Sequence, residues 1–178
     1  MDARDLLIEA YDRLPPLVTG TLQGLSPEQL RWAPVDGANP IGWLVWHLTR
    51  VLDHLSESFG EEQLWAGGDF AETFGLAPDP ANSGFGHGAS EIAEVRPRDT
   101  GALLDYFTAT HQRAMAWIDP LTAADLDRIV DERWDPAVSL GSRLVSILND
   151  DMQHIGQAAY LRGLLLGERK PAGVQPVS

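Results

Sequence analysis

The chain has no cysteine. That excludes disulfides, a cysteine nucleophile and thiolate-bound zinc. Any metal must therefore be held by imidazole and carboxylate, and any thiol chemistry must use a thiol brought from outside. Lysine is almost missing too: of thirteen basic residues only Lys170 is not arginine. With abundant alanine, glycine and aspartate, this is the bias a GC-rich genome produces, and actinobacteria are one such group. Positive charge is scarce overall, with 13 basic against 26 acidic residues and a formal net charge of −13. That balance argues against a nucleic-acid partner, since a phosphate backbone attracts a basic patch. No apolar run reaches the roughly eighteen residues of a membrane span, so no membrane association is expected. Met1-Asp2-Ala3-Arg4-Asp5 does not open a signal peptide, and a cytoplasmic setting is expected.

What is present suits one ordinary globular domain. The chain has 178 residues, 44% of them hydrophobic, enough for a sizeable core. Its most informative stretch is Asn149–Gly163, inside a proline-free segment from Leu140 to Leu166 that reads as a buried helix. Asp150 and His154 are four residues apart, so on a helix they share a face, roughly 6 Å apart along the axis. A carboxylate and an imidazole so placed can close on one divalent cation. Gln157 follows one turn on, and Arg143 precedes Asp150 by two turns. The rest of the helix is apolar, with Leu144, Ile147, Leu148, Ile155, Ala158, Ala159 and Leu161. Unpartnered polar groups buried among such residues cost about 2–7 kcal/mol each. His47 is a second anomaly of the same kind, a lone imidazole within Trp43-Leu44-Val45-Trp46-His47-Leu48. Taken singly, the Asp–His pair suits a surface ion pair, and His47 suits a core histidine bonded to a carbonyl.

Taken together, Trp-x-x-Trp-His-Leu and Asp-x-x-x-His-x-Gly-Gln resemble the DinB-like superfamily, which includes the mycothiol-dependent maleylpyruvate isomerases. The resemblance runs from about residue 5 to residue 166. It implies an all-α, antiparallel four-helix bundle whose metal, often zinc or nickel, is held by one histidine of the second helix and two ligands of the last. Carried across by position, the ligands are His47, Asp150 and His154. Many relatives have His or Glu where this chain has Asp150, a shorter carboxylate.

In chain order, residues 2–24 read as a first helix that Pro15-Pro16 must kink or split. Ser26-Pro27-Glu28-Gln29 is a helix start with a capping box. Asn39-Pro40 opens a second long helix that runs to about Phe59. His54 lies on it two turns from His47, roughly 10 Å along the axis, too far to share a metal, and is expected at the rim. Residues 60–97 are rich in turn signals and read as a long irregular loop, with Phe74, Phe85 and His87 as candidates to cover the site. Asp99 or Thr100 caps a third helix to about Ile118, with Leu103, Leu104, Phe107, Ala114 and Trp117 inward and His111 and Arg113 at the rim. Thr122 opens a short helical turn, Arg133-Trp134-Asp135-Pro136 is a connector, and Ser139 caps the last helix. Asp151 is expected to support the ligands or to face outward. The domain is expected over 1–167, with a loose tail over 168–178.

Three protein ligands leave coordination positions open, as a catalytic site requires. Two imidazoles and a carboxylate suit Zn²⁺, Ni²⁺ or Fe²⁺. The leading expectation is a metal-dependent transferase or isomerase acting on a small molecule, with a thiol such as mycothiol as cosubstrate. Arg143 would act at its active site by holding a carboxylate. A metal-dependent hydrolase and a non-catalytic stress-response bundle are the alternatives, and a homodimer is an admitted assembly.

Overall fold

Proline and capping chemistry set most helix boundaries. The computed structural model describes residues 1–67 and 69–167; the tail expected over 168–178 lies outside them. Asp2 caps α1 (Ala3–Tyr11) by accepting from Asp5 N at 2.9 Å. The chain breaks at Asp12-Arg13 and restarts as α2 (Leu14–Leu22), with Pro15 and Pro16 in its first turn. Prolines are tolerated there because those N–H groups have no helical acceptor. The pair thus splits the expected first helix. Ser26 and Gln29 form the capping box of α3 (Pro27–Leu30). Pro40 precedes α4 (Ile41–Asp53), which tightens into a 3₁₀ stretch over His54–Phe59.

The connection that follows is less irregular than its turn signals suggest, since it holds α5 (Asp69–Thr73) and α6 (Ala89–Glu94). Asp99 caps α7 (Thr100–Ile118), accepting from Ala102 N at 2.8 Å. After α8 (Ala123–Leu126) a small antiparallel hairpin, β1 (Ile129–Asp131) and β2 (Val138–Ser139), replaces the expected plain connector. Strands of three and two residues are too short to show period-two alternation. Ser139 then caps α9 (Leu140–Leu166).

α4 packs against α9 and α7, and α2 packs against the same two helices. Apart from Val51, every residue of α4 is buried. An amphipathic helix normally keeps one solvent face; here the connection over 60–88 covers that face. The shared core includes Tyr11, Leu14, Trp46, Trp65, Tyr106, Phe107, Leu144 and Ile155. Among the described residues, no helix is long and apolar enough to cross a membrane.

Three side chains sit elsewhere than expected. His111 is buried, not at the rim, with Nε2 3.0 Å from the Tyr11 carbonyl and its ring stacked on Phe107. Phe74 is a core residue packed on Trp65 and Tyr106, so it covers no site. Asp151 is wholly buried, and neither carboxylate oxygen has a hydrogen-bond partner among the described residues. One helix position turns a side chain by about 100°. That step carries Asp151 from the face that Asp150 presents to His47 round to the packed interior.

Candidate metal centre

α4 and α9 pack directly together, which brings the motifs of both into one place. His47, Asp150 and His154 each offer a ligand atom within 4.8 Å of the others'. His47 Nε2 lies 3.9 Å from Asp150 Oδ2, and His154 Nε2 lies 3.6 Å from Asp150 Oδ1. The two imidazoles meet edge to face, with centroids 4.7 Å apart.

Hydrogen bonds on the far side of each ring fix the tautomers. His47 Nδ1 is 2.6 Å from the Ser83 carbonyl, and His154 Nδ1 is 3.0 Å from Gln157 Oε1. Both oxygens can only accept, so each ring donates Nδ1–H and keeps its Nε2 lone pair for the space they share. Metal-binding histidines are oriented by such outer partners. Burial pushes the His47 pKa below the usual imidazole value, and the Ser83 carbonyl opposes this. Beside Asp150, His154 moves the other way and is raised. Asp150 Oδ2 is buried with no hydrogen-bond partner among the described residues. An orphaned carboxylate oxygen facing an imidazole lone pair is costly in itself. A divalent cation would remove that cost, so the donor set fits one.

The connection over 60–88 is built onto this centre. Gly84 has φ +93°, and a Cβ there would lie 2.8 Å from Trp46, 2.9 Å from His47 and 3.0 Å from Trp43. Only glycine lets the backbone pass close enough for Ser83 to reach His47. His87 stacks on Trp46, accepts from Trp43 Nε1 at 3.3 Å and contacts Asn82 Oδ1 through Nε2 at 2.9 Å. Both its nitrogens are engaged, so it holds the loop and is not placed to bind a metal.

Arg50, one turn after His47, secures the same segment. Fully buried, it donates to the carbonyls of Pro80 and Asn82 at 3.0 Å each and to Gln63 Oε1 at 2.8 Å, and it stacks on Trp65. Asp53 completes the anchor, accepting from Leu64 N, Trp65 N and the Tyr106 hydroxyl. Neither residue was singled out from the sequence, nor was Ser83. An Arg–Asp pair three apart on a helix reads as solvated surface, and a backbone carbonyl leaves no side-chain signal.

His47 and Asp150 lie on the wall of a cleft of about 470 Å³ that also carries His54, Glu57, Phe85, Asp131, Arg133 and Arg143. Phe85 is 92% exposed at this cleft. Arg143 Nη2 donates to Asp131 Oδ2 at 2.9 Å, so the arginine expected to hold a ligand already has one protein partner. His54 pairs with Glu57 at 3.2 Å and lies outside the trio. A larger groove, between residues 31–40 and α6, shares no residue with the trio.

A family model of the DinB superfamily matches residues 10–158. The chain belongs to the DinB superfamily. It is also similar to the crystal structure of a conserved protein from Enterococcus faecalis, at 29% identity and a TM-score of 0.84, covering 94% of this chain and 99% of that one. No match is found among curated proteins. The DinB superfamily includes metal-binding enzymes, and the His47, Asp150 and His154 group of this member could hold a metal ion.

Proposed function

We propose that this DinB-superfamily protein is a metal-dependent transferase or isomerase that uses a low-molecular-weight thiol of the mycothiol type. On this reading the α1–α2 pair, α4, α7 and α9 form an antiparallel four-helix bundle, and the protein works in the cytoplasm. One observation carries the proposal. Two imidazoles on different helices, each hydrogen-bonded at its outer nitrogen, converge on the Asp150 carboxylate, one oxygen of which is buried and unpartnered among the described residues, beside an open cleft. The absence of cysteine supports an external thiol.

His47, Asp150 and His154 would hold Zn²⁺ or Ni²⁺, with Fe²⁺ as a third choice. Such an ion lowers the pKa of a coordinating thiol by at least the roughly 2 kcal/mol that separates about 8.5 from neutral pH. The chain does the rest. Ser83 and Gln157 hold the two rings in one tautomer and orientation. Arg50 holds Pro80 and Asn82 beside Ser83, and Asp53 pairs with Arg50 and holds Leu64 and Trp65. Phe85, exposed at the cleft, is placed to cover an electrophile once bound.

Calorimetry with mycothiol against the metal-loaded and metal-free protein tests the reading. Binding to the loaded form alone is expected. Equal binding to both, or none to the loaded form, would contradict it, and turnover without added thiol would favour hydrolysis.

A further inference from the structure

The hairpin and the start of α9 build a pair of guanidiniums at the cleft that the metal trio does not use. Asp131, the last residue of β1, is buried. Its Oδ2 accepts from Arg133 Nη2 and Arg143 Nη2, both at 2.9 Å. Its Oδ1 accepts from Arg133 Nε at 2.9 Å and from Arg133 N at 3.0 Å. One planar guanidinium fork already satisfies a carboxylate. Arg143 is therefore surplus to the needs of Asp131.

Two guanidiniums share Asp131, and Glu57 on the same cleft also acts on Arg133, so what the pair offers a ligand is the spare N–H donors of Arg143 and not a surplus charge. Arg143 donates to Asp131 through Nη2 alone, and its other N–H donors have no partner among the described residues. Arg143 and Arg133 line the same cleft as His47 and Asp150. The cleft lining also includes Val51, Val130 and Ile147, with Ser58, Ser83 and Ser146 beside them. Arg143 precedes Asp150 by two helical turns, roughly 10 Å along the axis.

We infer that the cleft selects a carboxylic acid, whose carboxylate docks on the Arg143–Arg133 pair while an apolar spacer of several carbons reaches the His47–Asp150–His154 end. A guanidinium fork with donors to spare matches a planar carboxylate. Arg143 is the chief specificity residue because it is the less exposed of the two and has donors to spare. Asp131 is a positioning residue that holds both guanidiniums. The inference rests on the metal reading for which end of the ligand reacts, but not for where its carboxylate sits.

The test uses ω-mercaptocarboxylic acids, from mercaptopropionate to mercaptooctanoate, each paired with the ω-mercaptoalcohol of equal length. Affinities are measured by calorimetry on the Co²⁺-loaded protein, and sulfur coordination is followed by its visible absorption. At one chain length the acid should bind about tenfold more tightly than the alcohol, roughly 1.4 kcal/mol. Arg143→Gln should abolish that advantage, Arg143→Lys should restore only part of it, and Arg133→Gln, at a mostly exposed position, should weaken it. The alcohols should keep their wild-type affinity throughout, which also shows that the variants are folded. Acids and alcohols of equal affinity at every length, or an acid advantage that survives Arg143→Gln, would overturn the inference. Loss of the Co²⁺–sulfur absorption for acids and alcohols alike would instead count against the thiol reading, while the acid-over-alcohol ratio still reads the carboxylate site.

Discussion

Asp150 and Asp151 are adjacent in sequence and opposite in setting. Asp150 faces His47, His154 and the cleft, whereas Asp151 is wholly buried with both oxygens unpartnered among the described residues. Burial pushes the Asp151 carboxyl well above its ordinary range, and the neighbouring Asp150 charge pushes it further. With a folded pKa above the unfolded one, Asp151 favours folding least once pH has risen past both. Asp151→Asn removes that burden. It should raise stability at neutral pH by about 1 kcal/mol, since the amide removes the cost of ionising in the interior but remains a poorly satisfied polar group. The difference should close in acid, as pH falls through the unfolded aspartate value. Urea titrations across pH check this, and a less stable variant at pH 7 would contradict it. Metal content should be unchanged by Asp151→Asn.

At the scale of elements, the connection from α4 to α7 decides whether His47 can serve as a ligand. Gly84→Ala forces a left-handed residue against Trp46 and His47. It should cost about 1–3 kcal/mol of stability and, by displacing the Ser83 carbonyl, weaken metal binding roughly 10–100-fold. Competition with a chromophoric chelator measures the second effect, and an unchanged affinity would remove Ser83 from the site. Arg50→Ala strips the anchor and leaves Asp53 as a buried charge without its cation. A loss of about 3–5 kcal/mol is expected in denaturant unfolding; a loss below 1 kcal/mol would show the loop to be held by its aromatic packing alone. Little of this connection was legible in the sequence. The helix starts at Ser26, Asp99 and Ser139 were, because a capping side chain is chemically specific to its position. His47, Asp150 and His154 stood out as polar anomalies on apolar helices, the same signal that Arg50 and Asp53 carry. Those two escaped notice because an ion pair at i,i+3 looks solvated until another segment is seen to cover it. The hairpin was too short to show a period, and Asp151 differs from Asp150 only by a rotation that the sequence does not orient.

At the scale of the whole molecule, the core sets α4 against α9, and the site lies where the two helices meet. A polar trio in that position opposes folding unless something binds it, so the bound ion should stabilise the chain. At a hundredfold excess over its dissociation constant, a ligand specific to the folded state adds about 2.7 kcal/mol. The most direct test of the central claim is elemental analysis of the purified protein beside its His154→Ala variant. About one divalent metal ion per chain is expected in the wild type, as three protein ligands to a single centre imply, and almost none in the variant. A His154→Ala protein that keeps its full metal content, or a wild type that takes up no metal when Zn²⁺ or Ni²⁺ is supplied, would contradict the account.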